Sequence, residues 1–159
     1  RGLNILFVCE DNGLAIHSGA SDRRGYSSLV ETVRSFRCKT AETDGSDLPA
    51  VIRTTRQLRA EMAESKQPGF LHLSYLRLLE HVGINEDFSV GYRHTPSSEE
   101  RLAQDPVARF TAYLLDHGCV QYELDNIRSG IEAQIARSLD LARQAGFPTA
   151  DALYEDLLI

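Results

Sequence analysis

Apolar residues fall in short blocks early in the chain and in helical stripes later. Residues 4–9, NILFVC, are almost continuously apolar and rich in β-branched and aromatic side chains, the pattern of a strand buried on both faces of a parallel sheet. A polar, glycine-containing stretch follows to about Gly25, and YSSLVETVRSF then predicts a short helix. RCKTAETD, residues 37–44, predicts a second strand closed by Asp44-Gly45. Leu48, Val51, Thr55, Leu58 and Met62 share one helical face, so a helix is expected from a Ser46 or Asp47 cap to about Lys66, stopped by Pro68-Gly69. FLHLSYLRLL, residues 70–79, predicts a third strand ending in Glu80-His81-Val82-Gly83.

Strand, helix, strand with helix-length connections is the order of parallel βαβ units. Residues 83–96 are irregular and polar, a loop long enough to carry function. Beyond it the pattern is helical. Asp105-Pro106 supplies an N-cap and first-turn proline before VARFTAYLLDHG, with Gly118 as the stop. Leu124, Ile127, Ile131, Ile135 and Leu139 mark a long amphipathic helix, and a short helix follows Gly146-Phe147-Pro148. The expected fold class is α/β: a partial parallel sheet of about three strands, followed by a helical C-terminal tail.

Composition narrows the setting without choosing a function. At 159 residues, 42% hydrophobic and 25% charged, the chain matches a soluble globular domain with a real core. A net charge of −6 argues against nucleic acid or an anionic membrane surface as partner, and no apolar run reaches membrane-span length. Cys9, Cys38 and Cys119 are odd in number and lack a metal-ligand spacing, which points to a reducing, cytoplasmic setting. The chain lacks an initiator methionine and enters a strand almost at once, as expected of a trimmed or partial chain.

The first strand delivers Cys9-Glu10-Asp11-Asn12-Gly13 to its C-terminal end, where α/β proteins place ligands. A phosphatase-type thiolate at Cys9 needs a phosphate-binding arginine where this chain has Ala15, so a buried strand-end cysteine is the simpler reading. Asp11 and Asn12 offer hard oxygen donors, and an amide oxygen at Asn12 with a carbonyl at Leu14 suits Mg²⁺. The same residues also make an ordinary turn. Arg77 and His81 stand at the end of the third strand, where an arginine can meet phosphate or simply pair with Glu80 or Asp87. His81 can exchange protons near neutral pH, whereas His72, inside the strand, reads as structural.

ILFVCEDNGLAIHS resembles the second half of the thiamine-diphosphate motif in the alpha chain of 2-oxo-acid dehydrogenases, a strand running into Cys-(Glu/Arg)-Asn-Asn-Gly-Tyr-Ala-Ile-Ser. The likeness continues through DGSDLPAVIRTTRQLRAEMAESKQPGFLHLSYLRLLEHVG, through NEDFSVGYR with its Tyr92-Arg93, and through the ending with Asp-Pro, Phe-Pro and Leu-Tyr-Glu-Asp. The resemblance implies that residues 1–96 are the C-terminal half of a thiamine-diphosphate-binding α/β domain and residues 97–159 a helical tail packing on it. It implies Asn12 and Leu14 as Mg²⁺ ligands, Leu14 through its main-chain carbonyl, with Arg77 at the cofactor's diphosphate and His81 in proton transfer and phosphate binding. Asp11 replaces the motif's first asparagine and His17 its serine.

In the family the metal motif opens with Gly-Asp-Gly, which does not stand before Asn12 in this chain. The chain alone is therefore expected to bind thiamine diphosphate and Mg²⁺ poorly and to be inactive. The implied activity is oxidative decarboxylation of a 2-oxo acid with acyl transfer to lipoyl. The implied partners are a beta subunit or fused beta region, a lipoyl acyltransferase and further copies in a homo- or hetero-oligomer, such as the family's heterotetramer. The other reading is a non-catalytic interaction module that keeps the helical tail for assembly.

Overall fold

The computed structural model describes residues 3–155. They fall into two compact units divided between Leu114 and Leu115, inside one helix.

The first unit is built on a parallel sheet of β1 (Leu6–Asp11), β4 (Lys39–Asp44) and β5 (Gly69–Ser74), with β5 in the centre. This is the α/β fold with a three-stranded parallel sheet that the hydrophobic blocks predict. Gly69 sits opposite Leu6 and Lys39, and Ser74 opposite Asp11 and Asp44, so all three strands end level. A two-stranded antiparallel hairpin, β2 (Leu14–Ala15) and β3 (Ser18–Gly19), follows β1. Helix α1 (Leu29–Arg34) begins where the Ser28 hydroxyl accepts the Glu31 N–H.

Helix α2 (Leu48–Ser65) is capped by Asp47, whose carboxylate accepts the Ala50 N–H at 2.9 Å, and it ends at Lys66 in the left-handed region. Its predicted face packs on the sheet: Leu58, Met62 and Leu71 are buried together, with Leu6, Ala41 and Leu73 against them. Burying a leucine of this kind contributes about 2 kcal/mol. Gly69 is required at the closest approach, because a Cβ there would run into Met62 and lie 3.2 Å from Leu6 Cδ1.

The strands differ from the sequence pattern: β1 covers Leu6–Asp11 where residues 4–9 were expected, and its Phe7 and Val8 are more than half exposed where burial on both faces was expected, while β4 begins at Lys39 rather than at residue 37. The third strand was expected over residues 70–79, yet β5 stops at Ser74, because its neighbours β1 and β4 end at the same level, the Tyr75 N–H making a last bond across to the Asp11 carbonyl. Leu76, Leu78 and Leu79 remain apolar for another reason: they line a cavity beyond the sheet end.

Helix α3 (Ser98–Gln104) starts with a reciprocal capping box between Ser97 and Glu100. Helix α4 (Pro106–Asp116) starts under Asp105, whose carboxylate accepts the Val107 and Ala108 N–H groups. In the second unit, helix α5 (Gln121–Gln144) carries Ile127, Ile131, Ile135 and Leu139, each more than half exposed. Gly118, at φ 93°, makes the turn before it. Among the described residues no helix is long and apolar enough to cross a membrane.

Candidate functional site at the C-terminal ends of the strands

The level ends of β1, β5 and β4 gather Asp11, Ser74 and Asp44 on one rim, the place where open parallel sheets bind ligands. Asp11-Asn12-Gly13 leaves β1 as two overlapping side-chain turns. The Asp11 carboxylate accepts the Gly13 N–H at 2.9 Å, and the Asn12 amide oxygen accepts the Leu14 N–H at 3.0 Å. Gly13 has φ 70°, which glycine adopts without strain. The Ala20 N–H then donates to the Gly13 carbonyl at 2.8 Å, closing the hairpin back on the turn.

Asp11 is the electrostatic centre of this turn. Its second oxygen lies 2.7 Å from Arg24 Nη2 and 3.1 Å from His72 Nε2. Burial pushes the carboxyl up, but the Gly13 N–H, His72 and Arg24 outweigh it and hold the group at about 2. His72 is thus tied to Asp11 across two strands, and its other nitrogen lies 3.7 Å from Glu42. Alternation was the available sequence signal: Cys9, His72 and Glu42 stand side by side in register, two residues before the strand ends. Burial, together with the nearby Asp11 carboxylate, pushes the Cys9 thiol up, the opposite of an activated nucleophile.

Arg77 lies beyond the end of β5, within a second network. Its Nε donates to the Leu79 carbonyl at 3.0 Å, and Nη1 donates to the Ile16 carbonyl in the hairpin at 3.2 Å. Nη2 meets Asp87 at 3.2 Å and the Tyr92 hydroxyl. Asp87 also accepts from Tyr92 and Arg93, and Arg93 stacks 3.8 Å over the Phe88 ring. Burial pushes the Asp87 carboxyl up, yet Tyr92 and the two guanidinium groups bring it below its ordinary value. Of the two candidate partners for Arg77, Asp87 is therefore the one that pairs.

The structure brings Asn12, Leu14 and Arg77 to the same rim, with Arg77 bonded to the hairpin that Leu14 begins. His81 is exposed in the loop after β5, and among the described residues no hydrogen bond or ion pair joins it to those three. Arg24, His72 and Tyr75 belong to the site without having been singled out for it. Tyr75 accepts the Asn12 amide N–H at 3.1 Å. Two cavities of about 500 and about 490 Å³ open beside it, the first lined by Asp44, Ser74, His94 and Glu100, the second by Ser46, Leu73, Leu76 and Arg77.

The donor set fits a hard divalent cation in part. Asn12 and the Leu14 carbonyl are neutral oxygens of the kind Mg²⁺ accepts, but Asp11 already takes three donors. Among the described residues no group of three or more His, Cys, Asp or Glu is placed to hold a metal.

Comparison with known proteins gives this geometry its context. Residues 1–151 match the family model described as Dehydrogenase E1 component. The mitochondrial 2-oxoisovalerate dehydrogenase subunit alpha of Mus musculus is 24% identical over 155 residues, 96% of this chain and 35% of the relative. The corresponding protein of Caenorhabditis elegans is 29% identical over 115 residues, 72% of this chain and 26% of the relative. The pyruvate dehydrogenase E1 component subunit alpha of Staphylococcus epidermidis is 24% identical over 157 residues, 96% of this chain and 42% of the relative. The chain thus spans about a third of the length of the relatives it matches.

Proposed function

The chain belongs to the dehydrogenase E1 component family, and from that premise we propose that it is the part of a 2-oxo-acid dehydrogenase alpha subunit that contributes one side of a thiamine-diphosphate and Mg²⁺ site. The observation that carries the reading is the turn at Asp11–Leu14, held at the C-terminal end of a parallel strand with Asn12 and Leu14 at the rim. When bound, thiamine diphosphate supplies the decarboxylation chemistry, and the acyl group passes to lipoyl; the protein's part is binding, orientation and electrostatics.

Asn12 and the Leu14 carbonyl are the cation ligands in this reading. The missing carboxylate is the aspartate of the family's Gly-Asp-Gly, which does not stand before Asn12 in the 159 residues. Arg77 serves the diphosphate with the donor it has left: a guanidinium carries five N–H groups, and Leu79, Ile16, Asp87 and Tyr92 use four. His81, exposed in its loop, is the proton-transfer and phosphate-binding residue. A beta subunit or fused beta region completes the assembly, and the 2-oxo acid class follows from the relatives' names, which include both 2-oxoisovalerate and pyruvate.

One observation favours the other reading, a non-catalytic assembly module: Ile127, Ile131, Ile135 and Leu139 of the apolar stripe on α5 are exposed. Calorimetry separates the two. Titrating thiamine diphosphate and Mg²⁺ into the chain alone is expected to give no micromolar binding. Joining it behind the upstream part of an alpha-subunit relative, with the beta subunit present, is expected to restore binding, and Asn12→Ala to abolish it. Micromolar binding by the chain alone would contradict the incomplete donor set, and restored binding that ignores Asn12→Ala would remove Asn12 from the site. Failure of the joined protein to bind at all favours the assembly module.

A further inference from the structure

We propose that Tyr75 and Asp11 are positioning residues that fix the direction in which the Asn12 amide oxygen faces, so that the turn presents a preset donor rather than a rotating one. The inference rests on the reading of Asn12 as a cation ligand and adds to it the groups that orient the ligand.

The orientation of an asparagine amide has to be deduced from its neighbours, and here the neighbours determine it. The Leu14 backbone nitrogen can only donate, so the Asn12 atom 3.0 Å from it must be the oxygen. The amide nitrogen therefore faces the Tyr75 hydroxyl, 3.1 Å away, which can accept. Turning the amide over would set N–H against N–H at Leu14, whereas the Tyr75 hydroxyl can bond either end; the Leu14 N–H therefore decides which end is the oxygen, and Tyr75 holds the plane of the amide. An amide oxygen has two lone pairs, and the Leu14 N–H occupies one. The second stays available for a cation, and the plane in which it lies is set by Tyr75.

Asp11 does the same for the backbone. One carboxylate oxygen holds the Gly13 N–H, and the other is anchored by Arg24 and His72, which arrive from the polar stretch after the hairpin and from the central strand. The turn is thereby tied to itself through Gly13 and to two separate segments through Arg24 and His72. Tyr75 is itself carried by the backbone ladder, its N–H donating to the Asp11 carbonyl at 3.1 Å. Both residues thus act through Asn12, and neither offers an oxygen to the cation. Partners of this kind behind a metal ligand typically matter by about 10- to 100-fold in affinity.

The test uses Tyr75→Phe, which removes one oxygen and keeps the ring, together with Asp11→Ala and Asp11→Asn. In the ¹⁵N-labelled full chain, the Asn12 side-chain amide proton that faces Tyr75 is expected to exchange more slowly than its geminal partner, and to lose that difference in Tyr75→Phe. In the assembled enzyme saturated with thiamine diphosphate, Tyr75→Phe and Asp11→Ala are expected to weaken Mg²⁺ binding by about 10-fold or more, with the KM for the 2-oxo acid unmoved. Asp11→Asn keeps an oxygen for the Gly13 N–H and is expected to stay within about 3-fold of wild type, as the family's own asparagine would. Wild-type Mg²⁺ affinity in Tyr75→Phe and Asp11→Ala, alongside loss in Asn12→Ala, would overturn the positioning roles and leave the site assignment standing. Wild-type affinity in Asn12→Ala as well would instead overturn the reading of the site.

Discussion

Two aspartates beside the candidate site each pair with arginine, and they are used in opposite ways. Asp11 divides its oxygens: one holds a backbone N–H two residues on, the other takes Arg24 and His72. Asp87 gives everything to side chains, accepting from Tyr92, Arg77 and Arg93. The first arrangement shapes a turn from within; the second fastens a loop from outside. Charge follows the same division. Asp11 faces one guanidinium, whereas Asp87 compensates two, and all three of its charged groups are at least nine-tenths buried at the side chain. A carboxylate shared in this way is costly to remove, because its partners cannot reach water when it goes.

The largest expected effect is therefore at Asp87. Asp87→Ala leaves Arg77 and Arg93 buried close together without their counter-charge, and the thermal midpoint measured by circular dichroism is expected to fall by about 10 °C. Asp87→Asn, which keeps an acceptor for one donor, should lose less. A midpoint for Asp87→Ala within about 2 °C of wild type would show that the loop is held by the stacking of Arg93 and Arg101 on Phe88 instead.

A smaller effect separates Asp11 by pH. Its carboxyl is held at about 2 against an ordinary 3.8. A folded value below the unfolded one means that the carboxylate stabilises the fold above about pH 5, and that this is lost as pH falls through 4 toward 2. By pH 3 the loss is about 1 kcal/mol. Urea unfolding of wild type and Asp11→Asn at pH 6 and pH 3 tests it: the gap between them should narrow by about that amount. Asp44 and Asp87 are lowered in the same direction and remain in both proteins, so they cancel in the difference. A gap that stays constant would mean that Arg24 and His72 do not stabilise the charged form of Asp11.

How far these features could be read from the sequence depends on how far apart the partners lie along the chain. The Asp-Asn-Gly turn is local, and its residue types announce it. The face of α2 was visible as a period, and Leu58 and Met62 are buried as that period implies. The same kind of period in α5 marks a stripe without saying what covers it, and Ile127, Ile131 and Ile135 are exposed. The end of β5 was obscured because leucines lining a cavity look like leucines in a strand. His72 and Tyr75 reach the turn from 61 and 63 residues away, so their roles needed the register of the sheet. The resemblance carried Asn12, Leu14, Arg77 and His81 as names for positions, but it did not reveal that Arg77 is already engaged by Asp87.

The smallest expected effect sharpens the contrast from the arginine side. Arg24 reaches Asp11 through one nitrogen, Nη2, and its side chain is 30% exposed. A single contact near solvent asks only for a positive charge within reach, which lysine also supplies. Arg24→Lys is therefore expected to change stability by no more than about 0.5 kcal/mol in urea unfolding. Arg93 differs in kind: it donates to the Arg77 carbonyl and to Asp87 from separate nitrogens while its plane lies on Phe88, a combination lysine cannot reproduce. A loss at Arg24→Lys as large as that at Asp87→Ala would mean that the turn, too, depends on guanidinium geometry. In that case Asp11 would be a fastening residue like Asp87, and the distinction between shaping a turn and pinning a loop would not hold.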